Sequence, residues 1–281
     1  MNESAAGFRS CFIIGHPVAH SRSPMVHNHW IGELGLKGHY ERVDVAPEAL
    51  PDFVARLRAG EFAGGNVTLP HKQAVAPLLD LLTPAAAQTG AVNTIFREEG
   101  RLVGDNTDVT GFIGHLSASC PGWRADVRKA VLLGAGGGAK AIAHGLLNES
   151  EADLVIVNRD VGKAQALAAQ LGPRVGIRPW SERDVALADA DLLVNATALG
   201  MKGQPRLEID LAGMGARALV YDIVYVPLET GLLRAARARG LVAIDGLGML
   251  LHQAAPAFAR WFGVMPQVTP GLRAMIAADI G

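Results

Sequence analysis

Lysine is scarce in this chain: 6 of the 281 residues, against 20 arginines. Arginine keeps its proton at working pH whereas lysine can lose it, so a lysine in an unusual setting is a candidate for chemistry. Cysteine is scarcer, with only Cys11 and Cys120. They form no C-x-x-C pair and read as reduced packing residues. No apolar run approaches the roughly 20 residues needed to span a bilayer. The N-terminus also lacks a charged segment followed by a long apolar one, and Cys11-Phe-Ile-Ile14 is short enough to read as a first strand. There is no excess of either charge, the formal net charge being -1, and the arginines are scattered, not stacked. Neither a nucleic-acid nor a membrane partner is expected, and the expected compartment is the cytoplasm. A length of 281 residues, 49% hydrophobic, suits two domains with sizeable cores.

What the chain does have is glycine in one concentrated place. Val131-Leu-Leu133 reads as a buried strand and runs into Gly134-Ala135-Gly136-Gly137-Gly138, after which Ala139 to Leu147 takes up helical spacing. Gly134-x-Gly136-x-x-Ala139 fits the G-x-G-x-x-G/A dinucleotide fingerprint. Glycines let the backbone turn tightly and approach a pyrophosphate, whose charge then rests on free N–H groups at a helix N-terminus.

Before this stretch, strand and helix signals alternate. Phe12 to Ile14 is a strand, and Ser23-Pro24 opens a helix with Ser23 as cap and Pro24 as its first residue. Ser21 and Ser23 then lie at a strand-to-helix edge, where hydroxyls either cap the helix or meet a polyol or carboxylate ligand. His39 to Val45 alternates as a half-exposed strand. Gly64 to Thr68 is a strand whose end carries Asn66, Thr68 and, beyond Pro70, Lys72. Gly90 to Phe96 is a strand that carries the amide Asn93. Leu102 returns from a hairpin turn and ends on Asp108. His16, His20, His27 and His29 suggest a metal, but His27 and His29 point to different helix faces and no acidic or thiol ligand accompanies them, so none is expected. The alternation predicts an open α/β sheet with Asn66, Thr68, Lys72, Asn93 and Asp108 at the strand ends.

Four segments, in order, carry a resemblance: His20-Ser21-x-Ser23-Pro24-x-x-His27-Asn28, Asn66-Val67-Thr68-x-Pro70-x-Lys72, Gly90-Ala91-Val92-Asn93-Thr94, and Gly104-x-Asn106-Thr107-Asp108-x-x-Gly111. Together they are similar to the motif set of the shikimate dehydrogenases. The likeness continues through Asp245-Gly246-Leu247-Gly248-Met249 to Gln253 and so covers essentially the whole chain. It implies a discontinuous, open α/β substrate domain (1–107, completed by 246–281), a Rossmann domain (108–245), and a cleft between them.

The resemblance also implies roles. Lys72 and Asp108 would flank the reacting oxygen, with Lys72 supplying the proton or holding the alkoxide and Asp108 orienting it. Ser21, Ser23, Asn66, Thr68, Asn93, Tyr225 and Gln253 would bind a polyhydroxy ring acid, shikimate or 3-dehydroshikimate. Cofactor contacts would come from Gly134, Ala135, Gly136, Gly137, Gly138, Asn158, Arg159, Asp160, Lys163, Thr197, Ile223, Gly246 and Met249, with Gly246 and Gly248 allowing close approach to the nicotinamide. Arg159 and Lys163 favour NADP, because a cation accommodates the 2′-phosphate. Asp160 departs from the usual Thr or Ser and leaves NAD open. Lys140 and Thr83-Pro84 are further departures. They leave room for a quinate or aminoshikimate paralogue using NAD, or for a ligand-binding homologue without turnover. A monomer or a homodimer is expected.

Overall fold

The computed structural model describes residues 7–280. They divide into two compact units, Met1–Asp108 with Leu251–Ile276, and Val109–Leu250 with Ala277–Gly281. Against the expected boundaries at 107 and 246, the first crossing falls one residue later and the return five residues later.

The first unit is built from β1 (Arg9–Gly15), α1 (Ser23–Glu33), β2 (Gly38–Asp44), α2 (Leu50–Arg58), β3 (Gly64–Val67), α3 (His71–Ala74), β4 (Leu81–Leu82), α4 (Pro84–Thr89), β5 (Thr94–Glu98) and β6 (Arg101–Asp105). The sheet order is β2-β1-β3-β5-β6-β4. β1 pairs in parallel with β2 and β3, β5 runs antiparallel to β3 and β6, and β4 pairs in parallel with β6. The β5–β6 turn has two residues, Glu99 and Gly100, both at positive φ, the geometry that matches the twist of a hairpin. On one face of the sheet, Phe12 meets Phe53 and Phe62 edge-on at 4.8 and 5.1 Å. The aromatic cluster of His27, Trp30, Tyr40, Phe258 and Trp261 is likewise buried. The Trp261 indole donates to the Ile95 carbonyl at 2.9 Å and lies where a side chain on Gly64 would be. Each of the buried phenylalanines contributes about 1.5–3 kcal/mol through its area alone.

α5 (Asp108–Ser119), whose first residue still belongs to the first unit, and α6 (Trp123–Asp126) open the second unit. There follow β7 (Lys129–Leu133), α7 (Gly137–Glu149), β8 (Asp153–Asn158), α8 (Val161–Leu171), β9 (Val175–Pro179), α9 (Arg183–Ala186), β10 (Leu192–Asn195), β11 (Leu219–Asp222), α10 (Gly231–Ala238) and β12 (Val242–Ile244). All six strands are parallel, in the order β12-β11-β10-β7-β8-β9. Numbered from β7 this is 3-2-1-4-5-6, the dinucleotide-binding order, which reverses between β7 and β10. Both faces of the sheet are covered. Leu132 enters one core with Ile142, Leu146 and Ile156, while Val131 and Leu133 enter another with Leu193, Val220 and Leu233. A buried parallel strand therefore reads as a continuous apolar run. The remaining helices are α11 (Leu247–Phe262) and α12 (Pro270–Ile280).

Several local expectations change. Ser23 is not the cap of α1: Arg22 occupies that place without a side-chain bond, and the Ser21 hydroxyl takes the Ser23 N–H at 3.3 Å. Asp108 opens α5 and does not end a strand. β11 stops at Asp222, so Tyr225 lies beyond the strand in the following turn. β4 and β9 were not expected, since β4 is two exposed leucines and β9 is a Gly- and Pro-bearing edge. Neither has the clean apolar alternation that marks a strand.

Candidate active site

In the first unit a lysine–carboxylate pair sits among hydroxyls and amides. Lys72, in the short helix α3, donates from Nζ to Asp108 Oδ2 at 2.7 Å. The backbone around it is tied down: the Val92 N–H donates to the Lys72 carbonyl at 2.7 Å, and His71, 1% exposed, meets the Val45 carbonyl through Nε2 at 2.6 Å. Asp108 Oδ1 accepts from Asn93 Nδ2 at 2.8 Å.

Backbone donors fix how this constellation is oriented. The Thr107 N–H donates to Asn93 Oδ1 at 2.8 Å. A backbone N–H can only donate, so the Asn93 amide must turn its NH2 toward Asp108. In the same way the Asp108 N–H donates to Asn106 Oδ1 at 3.0 Å, and Asn106 Nδ2 donates to the Thr89 hydroxyl and the Ala91 carbonyl. The carboxylate thus receives one fixed amide donor and one ammonium, both charge-assisted.

The other expected ligand residues of this unit gather nearby. Gln253, 8% exposed, accepts through Oε1 from the Thr107 hydroxyl at 3.2 Å and from Asn93 Nδ2 at 3.4 Å. Asn66 accepts from the Tyr40 hydroxyl at 2.7 Å and donates to the Asn93 carbonyl and the Thr94 hydroxyl. Thr68 follows β3, its N–H on the Ile14 carbonyl, and its methyl fills the space beside Gly15. Ser21 and Ser23 are 8% and 4% exposed. Tyr225 belongs to the second unit, where it is half-buried. The sequence reading did not single out the buried hydroxyls of Tyr40, Thr94 and Thr107 as supports. Thr94 and Thr107 each stand beside a chosen residue, which is the one signal that could have found them.

Histidine supplies packing here. His27 is fully buried, stacked on Tyr40 at 4.3 Å, and neither ring nitrogen meets a hydrogen-bond partner. Burial pulls its pKa down to about 3, with only the Asn66 side chain acting against it.

In the second unit the glycine turn fits a dinucleotide. Gly134 has φ +110, and a side chain there would press on Ala196 and Thr197 in the turn after β10. Nothing lies within 4 Å of where side chains on Gly136 and Gly137 would be. α7 starts with no side-chain cap, at the point where the strand order reverses. After β8, Asp160 caps α8, accepting the Lys163 N–H at 3.1 Å, and Asn158 Nδ2 donates to the Asp160 carbonyl at 2.8 Å. The carboxylate that would compete with a 2′-phosphate is therefore engaged by the helix and flanked by the Lys163 ammonium at 3.9 Å, with Arg159 exposed beside it.

Below this turn lies a buried polar brace. Asp222 accepts from Asn195 Nδ2 at 2.9 Å, the Val224 N–H at 3.1 Å and the Thr230 hydroxyl at 2.7 Å. Asn195 in turn holds the Thr197 N–H and hydroxyl. Burial raises the Asp222 pKa to about 6, and the Thr230, Val224 and Asn195 donors work against that rise. Gly246 and Gly248 have local reasons to lack side chains. The Ile223 backbone stands 2.1 Å from where a Cβ on Gly246 would be, and the His115 ring stands at the same distance from Gly248. Met249 is 9% exposed and packs into the core of this unit.

A parallel sheet in 3-2-1-4-5-6 order with an open glycine turn at its switch point, in one chain with a mixed α/β unit that holds a lysine–carboxylate pair, defines a dinucleotide-binding two-unit α/β protein. Sequence profiles match in three places: the shikimate dehydrogenase substrate binding domain at residues 13–95, shikimate/quinate 5-dehydrogenase at 119–203, and the shikimate 5′-dehydrogenase C-terminal domain at 246–276. A shikimate dehydrogenase (NADP(+)) of Methylocella silvestris is 54% identical over 269 residues, covering 96% of each chain. The Thermus thermophilus shikimate 5-dehydrogenase, solved with NADP(H) and shikimate, is 38% identical at a TM-score of 0.85, covering 97% of this chain and 100% of that one. The Corynebacterium glutamicum quinate dehydrogenase, solved with NAD, is 34% identical at a TM-score of 0.88, again over 97% and 100%. The chain belongs to the shikimate dehydrogenase family.

Proposed function

We propose that this chain is an NADP-dependent shikimate dehydrogenase that reversibly reduces 3-dehydroshikimate to shikimate. The observation that carries the reading is the Lys72–Asp108 pair at 2.7 Å, oriented by Asn93, in a chain 54% identical to a relative that bears that name. NADPH, when bound, supplies the hydride. The residues suited to hold it are Gly134 to Gly138, Asn158, Arg159, Asp160, Lys163, Thr197, Ile223, Gly246 and Met249. The open cradle at Gly136 and Gly137 and the uncapped start of α7 support a pyrophosphate there.

The work of the protein is to hold the ring and manage one proton. Lys72 donates a proton to the ring oxygen as the carbonyl becomes an alcohol, and takes it back in the reverse direction. Asp108 holds the Lys72 ammonium and accepts from the neighbouring ring hydroxyl. Asn93, with its NH2 already committed to Asp108, fixes that carboxylate before the ring arrives. Ser21, Ser23, Asn66, Thr68, Tyr225 and Gln253 meet the remaining hydroxyls and the carboxylate. Among the described residues no helix is long and apolar enough to cross a membrane, and action in the cytoplasm is part of the proposal.

A second reading, quinate oxidation with NAD, is favoured by Asp160 and by the quinate dehydrogenase among the relatives. Initial rates of shikimate and quinate, each with NADP and NAD, test both. The expected result is rapid turnover of shikimate with NADP. Preference for quinate or NAD establishes the second reading, and silence in all four combinations refutes both.

A further inference from the structure

The segment between β1 and α1, residues 16–22, carries Ser21 and leads into Ser23. It is held from the side by the edge strand β2. Two residues of β2, Arg42 and Asp44, lie two apart and so share one face of the sheet. Arg42 donates from Nε and Nη2 to the Ser21 carbonyl at 2.9 and 2.5 Å. Asp44 meets His16 Nδ1 at 2.6 Å through Oδ1 and accepts the Val18 N–H at 3.2 Å through Oδ2. One side chain therefore grips the start of the loop and the other its end. Between these grips Val18, 1% exposed, is packed inward, and the Ser21 N–H closes a turn on the Val18 carbonyl at 3.0 Å.

The consequence falls on the Ser21 hydroxyl. Its oxygen accepts the Ser23 N–H at 3.3 Å, so its own proton is directed elsewhere and is available to a ligand oxygen. This direction holds only while the Ser21 backbone is fixed, and the two arginine donors on its carbonyl fix it. Arginine suits the task because its planar fork reaches one acceptor with two N–H groups. We propose that Arg42 and Asp44 are positioning residues, which hold the Ser21–Ser23 segment in the shape that receives the ring acid without touching it. This inference rests on the substrate reading above. His16, Arg42 and Asp44 are all exposed, and exposed pairs add little to global stability. The clamp therefore acts on loop shape, and its loss is felt in binding.

The test uses Arg42→Met, Asp44→Asn and Arg42→Lys in the full chain, with two readouts. Amide hydrogen exchange at Val18, Ser21 and Ser23 is expected to speed up at least tenfold in Arg42→Met and Asp44→Asn, with other segments unchanged. Unchanged exchange overturns the clamp whatever the substrate is. In steady-state kinetics the KM for shikimate is expected to rise about tenfold, with kcat within twofold and the KM for NADP unaltered. Arg42→Lys, with a single point donor, recovers part of the loss. A KM for shikimate within twofold of wild type in both variants overturns the positioning role, as does a fall in kcat alone. Wild-type protein inactive on shikimate refutes the substrate reading only, and the exchange result still decides the clamp.

Discussion

Replacing Gly248 by alanine tests the packing of the second unit at a single methyl group. An ideal Cβ at this position lies 2.1 Å from His115 Cδ2 and Nε2 and 2.3 Å from Cε1. Ordinary contact begins near 3.4 Å, so the imidazole must retreat by more than an ångström. It cannot do so freely. Its Nδ1 is bonded to the Tyr221 hydroxyl at 2.7 Å, and its ring stands edge-on to Tyr221 at 5.5 Å. Overpacking of this kind costs about 1–3 kcal/mol, and the broken hydrogen bond adds about 0.5–1.5 kcal/mol. The expected destabilisation of Gly248→Ala is therefore roughly 2–4 kcal/mol. Equilibrium urea unfolding, followed by hydrogen exchange in β10 and β11, measures it. His115→Ala removes the obstacle, so Gly248→Ala in that background is expected to cost almost nothing. A coupling of roughly 2–4 kcal/mol in the cycle identifies the clash as the cause. Loss of under roughly 0.5 kcal/mol in the single variant, or the full cost persisting without His115, refutes the reasoning. At Gly246 the obstacle is the Ile223 backbone, and no truncation there is expected to relieve an alanine.

Three further outcomes are expected. Folded His27 titrates near 3 against 6.5 unperturbed, so its contribution is complete above pH 6.5 and is lost as pH falls toward 3. The slope is at most about 1.4 kcal/mol per pH unit. Hydrogen exchange in the first unit is expected to show this acid weakening and His27→Phe to flatten it; an unchanged profile in the variant counts against it. Asp222 works in the opposite sense: its pKa rises from 3.8 to about 6, so its contribution is complete below 3.8 and is lost as pH rises through 6. Asp222→Asn is expected to abolish that trend in exchange of the second unit, and persistence of the trend assigns it to another group. Finally, Lys72→Ala is expected to lower kcat by roughly 10²–10⁴-fold with NADP affinity nearly intact, and a large loss of NADP affinity in a binding titration argues against its assignment.

How legible each part was depends on whether its cause is local. β7 and the turn after it could be read directly, because Val131, Leu132 and Leu133 are buried on alternate faces and the glycines follow at once. Lys72 stood out through scarcity of its own kind. The cap of α1 was misread by one residue: the Arg22 carbonyl already takes the Met25 and Val26 N–H groups, so Ser23 lies inside the first turn. The supports of the site were invisible for a different reason. Tyr40 reaches Asn66 across 26 positions, Asn66 reaches Thr94 across 28, and Gln253 reaches Thr107 across 146. No window along the chain contains such pairs, and a buried threonine has the same composition signal as a solvated one. β9 escaped because an edge strand pairing only with β8 tolerates glycine and proline.

The split of the first unit between the two ends of the chain sets an order of assembly. Its sheet is covered by Trp261, whose indole bonds the Ile95 carbonyl, and by Phe258, which stacks near His27. These residues emerge from the ribosome more than 150 positions after the strands they cover. Val109–Leu250, nearly all of the second unit, is one continuous stretch and can pack while the tail is still being made. The earlier segment must wait with an unclosed apolar surface, at a synthesis rate of about 5–20 residues per second. That interval of roughly 8–30 seconds is when the nascent chain most needs protection from aggregation, and it ends only when α11 is released.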